Sequence, residues 1–147
     1  MNFQYKIAKA SHNEELFQLE KICFPHDAWS FESIKNTLDN ERNVCFIACF
    51  NDKIVGYAIA SVIYDECELN RIAVLPEFRK LKIGEKLIEN LIQKCKSCDC
   101  RIIYLEVRES NDAAIGLYIK SGFIKCGMRK EYYRHPVENA VLMSLEF

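Results

Sequence analysis

The sequence predicts an α/β (α+β) fold: a mixed, mostly antiparallel sheet with helices on both faces and a parallel strand pair at its centre. Three observations carry this. Three apolar stretches rich in β-branched and aromatic residues, "NVCFIACF", "KIVGYAIASVIY" and "ECELNRIAV", follow one another with only short turns between them, which makes an antiparallel meander. An amphipathic helix then separates "ECELNRIAV" from "RIIYLEV", and a strand–helix–strand connection sets its two strands parallel. Two last strand-like segments, "FIKCGMRKEYYR" and "NAVLMSLEF", read as a closing hairpin. At 147 residues the chain fits one domain, 1–147, long enough to bury a core.

The elements follow in order. "FQYKIA" (Phe3 to Ala8) alternates and reads as a first strand. Ser11 opens a helix, with Glu14 three residues on to complete a capping box, and Leu16, Leu19, Ile22 and Cys23 take helical spacing. Pro25 in "CFPHDAWS" ends that helix. Ser30 begins a second, short one through Ser33, Ile34 and Leu38. "NDK" turns the chain between the first two meander strands, and Asp65 marks the turn into the third. The helix from about Ile83 to Cys95 places Leu87, Ile88, Leu91, Ile92 and Cys95 on one face. "RIIYLEV" is apolar almost throughout and so central in the sheet. "SNDAAIGLYIKSG" is a further helix, capped by Ser110 or Asn111 and ended by Gly122.

The bulk composition excludes several classes. Net charge is −1, which predicts no direct nucleic-acid binding. No apolar run reaches the roughly 18 residues of a membrane span, and the first residues lack the apolar core of a signal peptide. A cytoplasmic protein, monomeric or weakly dimeric, is expected, with its eight cysteines as reduced thiols. "CKSCDC" (Cys95, Cys98, Cys100) supplies three thiols, but a closed zinc site takes four ligands and no second CxxC or close HxxxH pair is present. No metal is expected.

"FRKLKIGEKL" is the first stretch with chemistry in it. A helix N-terminus offers unpaired N–H groups and a partial positive charge to an anion. Arg79, Lys80 and Lys82 add cations, and Gly84 lets a ligand approach the backbone. Neither the Walker spacing nor a dinucleotide fingerprint is present. By spacing alone the stretch is either a phosphate cradle or a solvated basic turn.

Taken together, "LNRIAVLPEFRKLKIGEKLI", "YLEVRESNDAAIGLYIKSGF" and "YYRHPVENAVLMSL" resemble the GNAT superfamily of N-acetyltransferases, and the last piece is similar to the ribosomal-protein-alanine (RimI-like) branch. The resemblance is close from Glu66 to Phe147; the N-terminal half agrees in element order and in "FPxxxWS". It implies acetyl-CoA as co-substrate and, as acceptor, a protein N-terminus such as that of a ribosomal protein. It implies that Ile72, Ala73 and Val74 pair with the pantetheine arm, and that Arg79, Lys80, Leu81, Lys82, Ile83, Gly84 and Glu85 form the pyrophosphate loop. Asn111 and Tyr118 would meet the cofactor. Glu106 would be the general base and Tyr118 the general acid. The acceptor would lie between "CFPHDAWS" and "YYRHP". One departure stands out: Lys82 occupies the place of the motif's first glycine.

The chemistry suits these residue types. An α-amine has a pKa of roughly 7.7–8.0, so attack on a thioester needs a base such as Glu106 to take its proton. Backbone N–H groups of a bulged strand can hold the oxyanion, and a tyrosine can protonate the departing thiolate. Simpler readings exist for each residue. Glu106 could pair with Arg108 on the strand surface, Tyr118 could be a core aromatic, and Asn111 could be only a helix cap. The alternatives for the whole protein are acetylation of a small amine and a silent acyl-CoA-binding module.

Overall fold

The turn between the first two meander strands uses residues that tolerate it: Asn51 and Asp52 have φ of 50° and 64°, the left-handed pair that matches strand twist in a two-residue hairpin. It joins β2 (Asn43–Phe50) to β3 (Lys53–Ile63), and β3 returns antiparallel to β4 (Glu66–Val74). The computed structural model describes residues 1–147. With β1 (Gln4–Ile7), β5 (Ile102–Arg108), β6 (Ile124–Tyr133) and β7 (Glu138–Glu146), these strands form one seven-stranded sheet in the order β1-β2-β3-β4-β5-β7-β6. The β4–β5 pair is parallel and every other pair antiparallel, as the sequence predicts.

Helices α1 (Asn13–Cys23) and α2 (Phe31–Asp39) cover one face; α3 (Ile83–Ser97) and α4 (Asp112–Lys120) cover the other. The α3 stripe reads as expected, with Leu87, Ile88, Leu91 and Cys95 at 1% exposure or less against β3–β5. Each such side chain contributes about 1.5–3 kcal/mol by leaving water. Ser30 caps α2 through the Ser33 amide (3.0 Å), and Gly122, at φ 105°, follows the end of α4.

The start of α1 differs from the expectation. Ala10–His12 form a 3₁₀ turn in which His12 Nδ1 accepts the Lys9 N–H at 2.9 Å, and the α-helix begins at Asn13. Ser11 is therefore no cap, and Glu14 instead accepts from Gln18 at 2.8 Å. Ser11 lies inside that 3₁₀ turn, so it does not stand at the cap position ahead of the α-helix.

Two details of β4 position the site. Its pairing with β5 covers only Glu66–Leu69 against Ile102–Leu105. Beyond that, β4 stays with β3 as far as Val74 and β5 stays with β7 as far as Arg108, so the strands part and leave a wedge. At the parting point the β3–β4 register jumps from Ala60↔Leu69 to Ile59↔Arg71, which makes Asn70 the extra residue of a bulge. A one-residue insertion moves every later side chain to the opposite face. Leu69 belongs to the α3/α4 core, whereas Ala73 belongs to the α1/α2 core, and Arg71 turns with it toward α1.

Candidate active site

Two clefts meet in the wedge. The first, about 640 Å³, is bounded by Ile72–Val74 on β4, the segment Phe78–Glu85, and α4. Its chemistry comes from the start of α3. Lys86 is the first residue whose N–H finds a helical acceptor, the Lys82 carbonyl at 3.1 Å, so the amides of Ile83, Gly84 and Glu85 precede the helical ladder. No side chain caps them. Lys80 and Lys82 both take left-handed φ (63° and 64°) after an extended Arg79, a backbone that curls N–H groups into an anion-binding concavity. Lys82 thus holds a left-handed conformation that glycine takes without steric cost. Gly84 keeps α3 against α4: a Cβ there would lie 3.1 Å from Leu117 Cδ2. Arg79 Nε donates to the Val74 carbonyl at 3.0 Å, tying loop to strand. Lys120 pairs with Glu85 across the mouth at 3.3 Å. Amides, cations and an apolar wall fit a phosphate-bearing thioester such as acetyl-CoA.

The second cleft, about 580 Å³, lies on the α1/α2 side. Its walls are the α1–α2 connection, from Cys23 to Trp29, and the β6–β7 turn, from Tyr132 to Pro136; Glu68, Asn70 and Glu106 face it from the sheet. The segments expected to flank the acceptor therefore do enclose one space. Cys23, Phe24, Ile72, Asn111, Ala114 and Tyr118 border both clefts, so that is where they join.

Glu106 projects into the second cleft only. Its partner is not Arg108 but Arg129 on β6, at 3.2 Å. Alternation explains the correction: Glu106 and Arg108 share a face, but Arg108 reaches across to Glu138 (3.3 Å) and the Arg134 and Pro136 carbonyls. The Glu106 carboxylate raises the Tyr132 hydroxyl above its ordinary value, and burial with the same carboxylate pushes Tyr133 up to about 12. Tyr118 stands at the junction with its ring buried beside Phe123 (5.8 Å). Burial holds its hydroxyl well above the usual phenol value, in the protonated form at neutral pH. Asn111 caps α4 through the Ala114 amide (3.1 Å) and also borders both clefts, so the two readings of it are compatible. Leu81 is the outlier: it is exposed and lies outside both clefts, because the left-handed residues on either side turn it outward. Burial raises the Cys23 thiol, which leaves it a poor nucleophile.

Sequence reasoning missed a buried group. Glu20, fully buried, accepts Arg71 Nε and Nη2 at 2.9 Å each, the Trp29 amide at 2.7 Å and the Tyr57 hydroxyl. Arg71 also donates to the Asp27 carbonyl at 2.8 Å and lies 3.6 Å from the Phe24 ring centroid. Burial opposes its charge, but Glu20 outweighs that and holds the guanidinium above its ordinary value. A signal was present: Glu20 falls four residues after Leu16, on the apolar stripe of α1.

A sheet whose two central parallel strands part around a bulge, with a basic helix-start loop in the opening, defines a class, and residues 13–123 match the model of the acetyltransferase (GNAT) family. The chain belongs to that family and is an acetyl-CoA-dependent N-acetyltransferase. Among its relatives are the [ribosomal protein bS18]-alanine N-acetyltransferases of Haemophilus influenzae and Escherichia coli. The first is 40% identical over 134 residues, 89% of this chain and 90% of that protein. The second is 35% identical over 119 residues, 80% of each. The crystal structure of the ribosomal-protein-S18-alanine N-acetyltransferase from Escherichia coli superposes with a TM-score of 0.92 at 29% identity, over 99% of this chain and 94% of that one. Arabidopsis thaliana NAA60 in complex with a bisubstrate analogue shares the fold, with a TM-score of 0.89 at 18% identity over 99% of each chain.

Proposed function

We propose that this enzyme acetylates the N-terminal α-amine of a ribosomal protein, an alanine in particular, in the cytoplasm, as a single domain that is monomeric or weakly dimeric. The observation that carries the reading is the junction of the two clefts: an acceptor entering past Glu106 meets the other cleft at Tyr118, Asn111 and Ile72. The names of the relatives favour a ribosomal-protein alanine as that acceptor.

Acetyl-CoA supplies an activated acyl group and a thiolate leaving group. The α3 amides and the Lys82 backbone N–H, with the Arg79 and Lys80 cations, hold its phosphates, and the free edge of β4 beyond the bulge binds its arm through Ile72, Ala73 and Val74. Glu106 takes the proton of the acceptor ammonium, directly or through one water, displacing Arg129 or sharing the carboxylate with it. Backbone N–H groups of β4 stabilise the oxyanion. Tyr118 gives its proton to the departing sulfur. The amine attacks directly in a ternary complex, and no residue becomes acylated.

Incubation with acetyl-CoA and a library of N-terminal peptides, read by mass spectrometry, tests the reading. Alanine-initiated peptides are expected to gain one acetyl group at the α-amine. A blank peptide library beside an acetylated small amine would replace it.

A further inference from the structure

Resting on that reading of the acceptor cleft, we propose that Arg71 and Arg108 are a matched pair of positioning residues that hold its two walls at a fixed separation. They are struts, not anion-binding groups.

The two arginines stand on the two strands that part, just beyond the last β4–β5 pair: Arg71 two residues after Leu69, Arg108 three after Leu105. Each does the same three things. Each is neutralised by a carboxylate of this chain, Arg71 by Glu20 (2.9 Å) and Arg108 by Glu138 (3.3 Å). Each donates to carbonyls of the loop beyond: Arg71 to Asp27 (2.8 Å), Arg108 to Arg134 (2.9 Å) and Pro136 (3.0 Å). Each lies against an aromatic ring of its wall, Arg71 at 3.6 Å from the Phe24 centroid and Arg108 at 4.5 Å from that of Tyr133. The carboxylates repeat the pattern. Glu20 accepts the Trp29 amide (2.7 Å), and Glu138 accepts the Ser110 amide (2.6 Å) at the start of the segment that carries Asn111.

The planar fork explains why arginine stands at both positions. A guanidinium can bond a carboxylate and a carbonyl together while stacking on a ring, which an ammonium cannot do. With both charges cancelled, neither arginine offers a free cation to an acceptor. The walls are loops, and loops keep a shape only when their backbone groups are tied.

The test compares the double variant Glu20→Gln/Arg71→Met, which removes both buried charges together, with Arg108→Met and Arg71→Lys. Acetyl-CoA Kd, acceptor KM for an alanine-initiated peptide, and amide hydrogen exchange are measured for each. Acceptor KM is expected to rise roughly tenfold or more in the double variant and in Arg108→Met, with acetyl-CoA Kd unchanged. Exchange should quicken only in 24–29 for the first and only in 134–137 for the second. Arg71→Lys should fall between wild type and the double variant. Unchanged exchange and acceptor KM would overturn the assignment. So would losses confined to acidic acceptors, which would make the arginines anion ligands. If the wild type leaves the peptide unacetylated, the N-terminal reading fails, whereas exchange and acetyl-CoA Kd still decide the struts.

Discussion

The two halves of the site are built in opposite ways. The cofactor half is local: one continuous segment, Pro76–Glu85, supplies the cations, the left-handed turns and the free amides of α3. The acceptor half is assembled from α1, β4, β5 and the β6–β7 turn, held together by Glu20–Arg71 and Arg108–Glu138. Coenzyme A is the same molecule in every acetyl transfer, so a short backbone motif can serve it. An acceptor is particular to its enzyme, and its cleft is made from side chains brought together over long separations.

That contrast can be broken from either side. The largest expected effect is that of Glu106→Gln, which removes the proposed base from the acceptor half: kcat should fall by about 10²–10⁴, with acetyl-CoA Kd unchanged by calorimetry. Tyr118→Phe should lower kcat by about tenfold or more, since the junction loses its proposed proton donor. In the wild type the rate should climb as the acceptor amine deprotonates, around roughly pH 7.7–8.0. Tyr118, held above the ordinary phenol value, should not turn that limb down in mild alkali. A decline in kcat below pH 9 that Tyr118→Phe abolishes would contradict this.

Gly84→Val probes the cofactor half by steric means. The added side chain meets Leu117 (Cβ to Cδ2 3.1 Å) where α3 and α4 approach, and acetyl-CoA KM should rise roughly tenfold while acceptor KM holds. Lys82→Gly should leave the cofactor half working. It relieves a left-handed lysine, worth about 1 kcal/mol, so Tm should rise slightly and acetyl-CoA Kd should stay as it was. A large loss of affinity would make the lysine side chain itself a principal phosphate ligand.

The smallest effect belongs to Glu138. Hydrogen bonds from Ser110, then Arg108, hold its carboxyl below the ordinary 4.5. A lowered folded value means stabilisation that is present above pH 4.5 and lost as pH falls through the folded value. Glu138→Gln should therefore flatten the acid limb of a Tm-against-pH curve.

Much of this was legible in the sequence. The parallel pair follows from a helix lying between two strands, and the order of elements from apolar periodicity. The segments that bound the first cleft could be singled out because they are runs of consecutive residues. Leu81 shows the limit even there, since facing depends on φ at its neighbours. The Ser11–Glu14 cap failed because the chain enters α1 through a 3₁₀ turn, Ala10–His12, that contains Ser11.

What the sequence determined by itself was the layered sheet, the order of its elements and the acetyltransferase family, all legible in local pattern. What only the tertiary structure decided was partnership. Asn70 reads as an ordinary strand residue, yet as the bulge it turns Arg71 to the face of Glu20, 51 residues away. Arg108 reaches 26 to 30 residues onward to Arg134, Pro136 and Glu138, and Arg129 rather than Arg108 meets Glu106. A charged side chain chooses among several reachable partners by the register and facing of its strand, and these are fixed only when the whole sheet has formed.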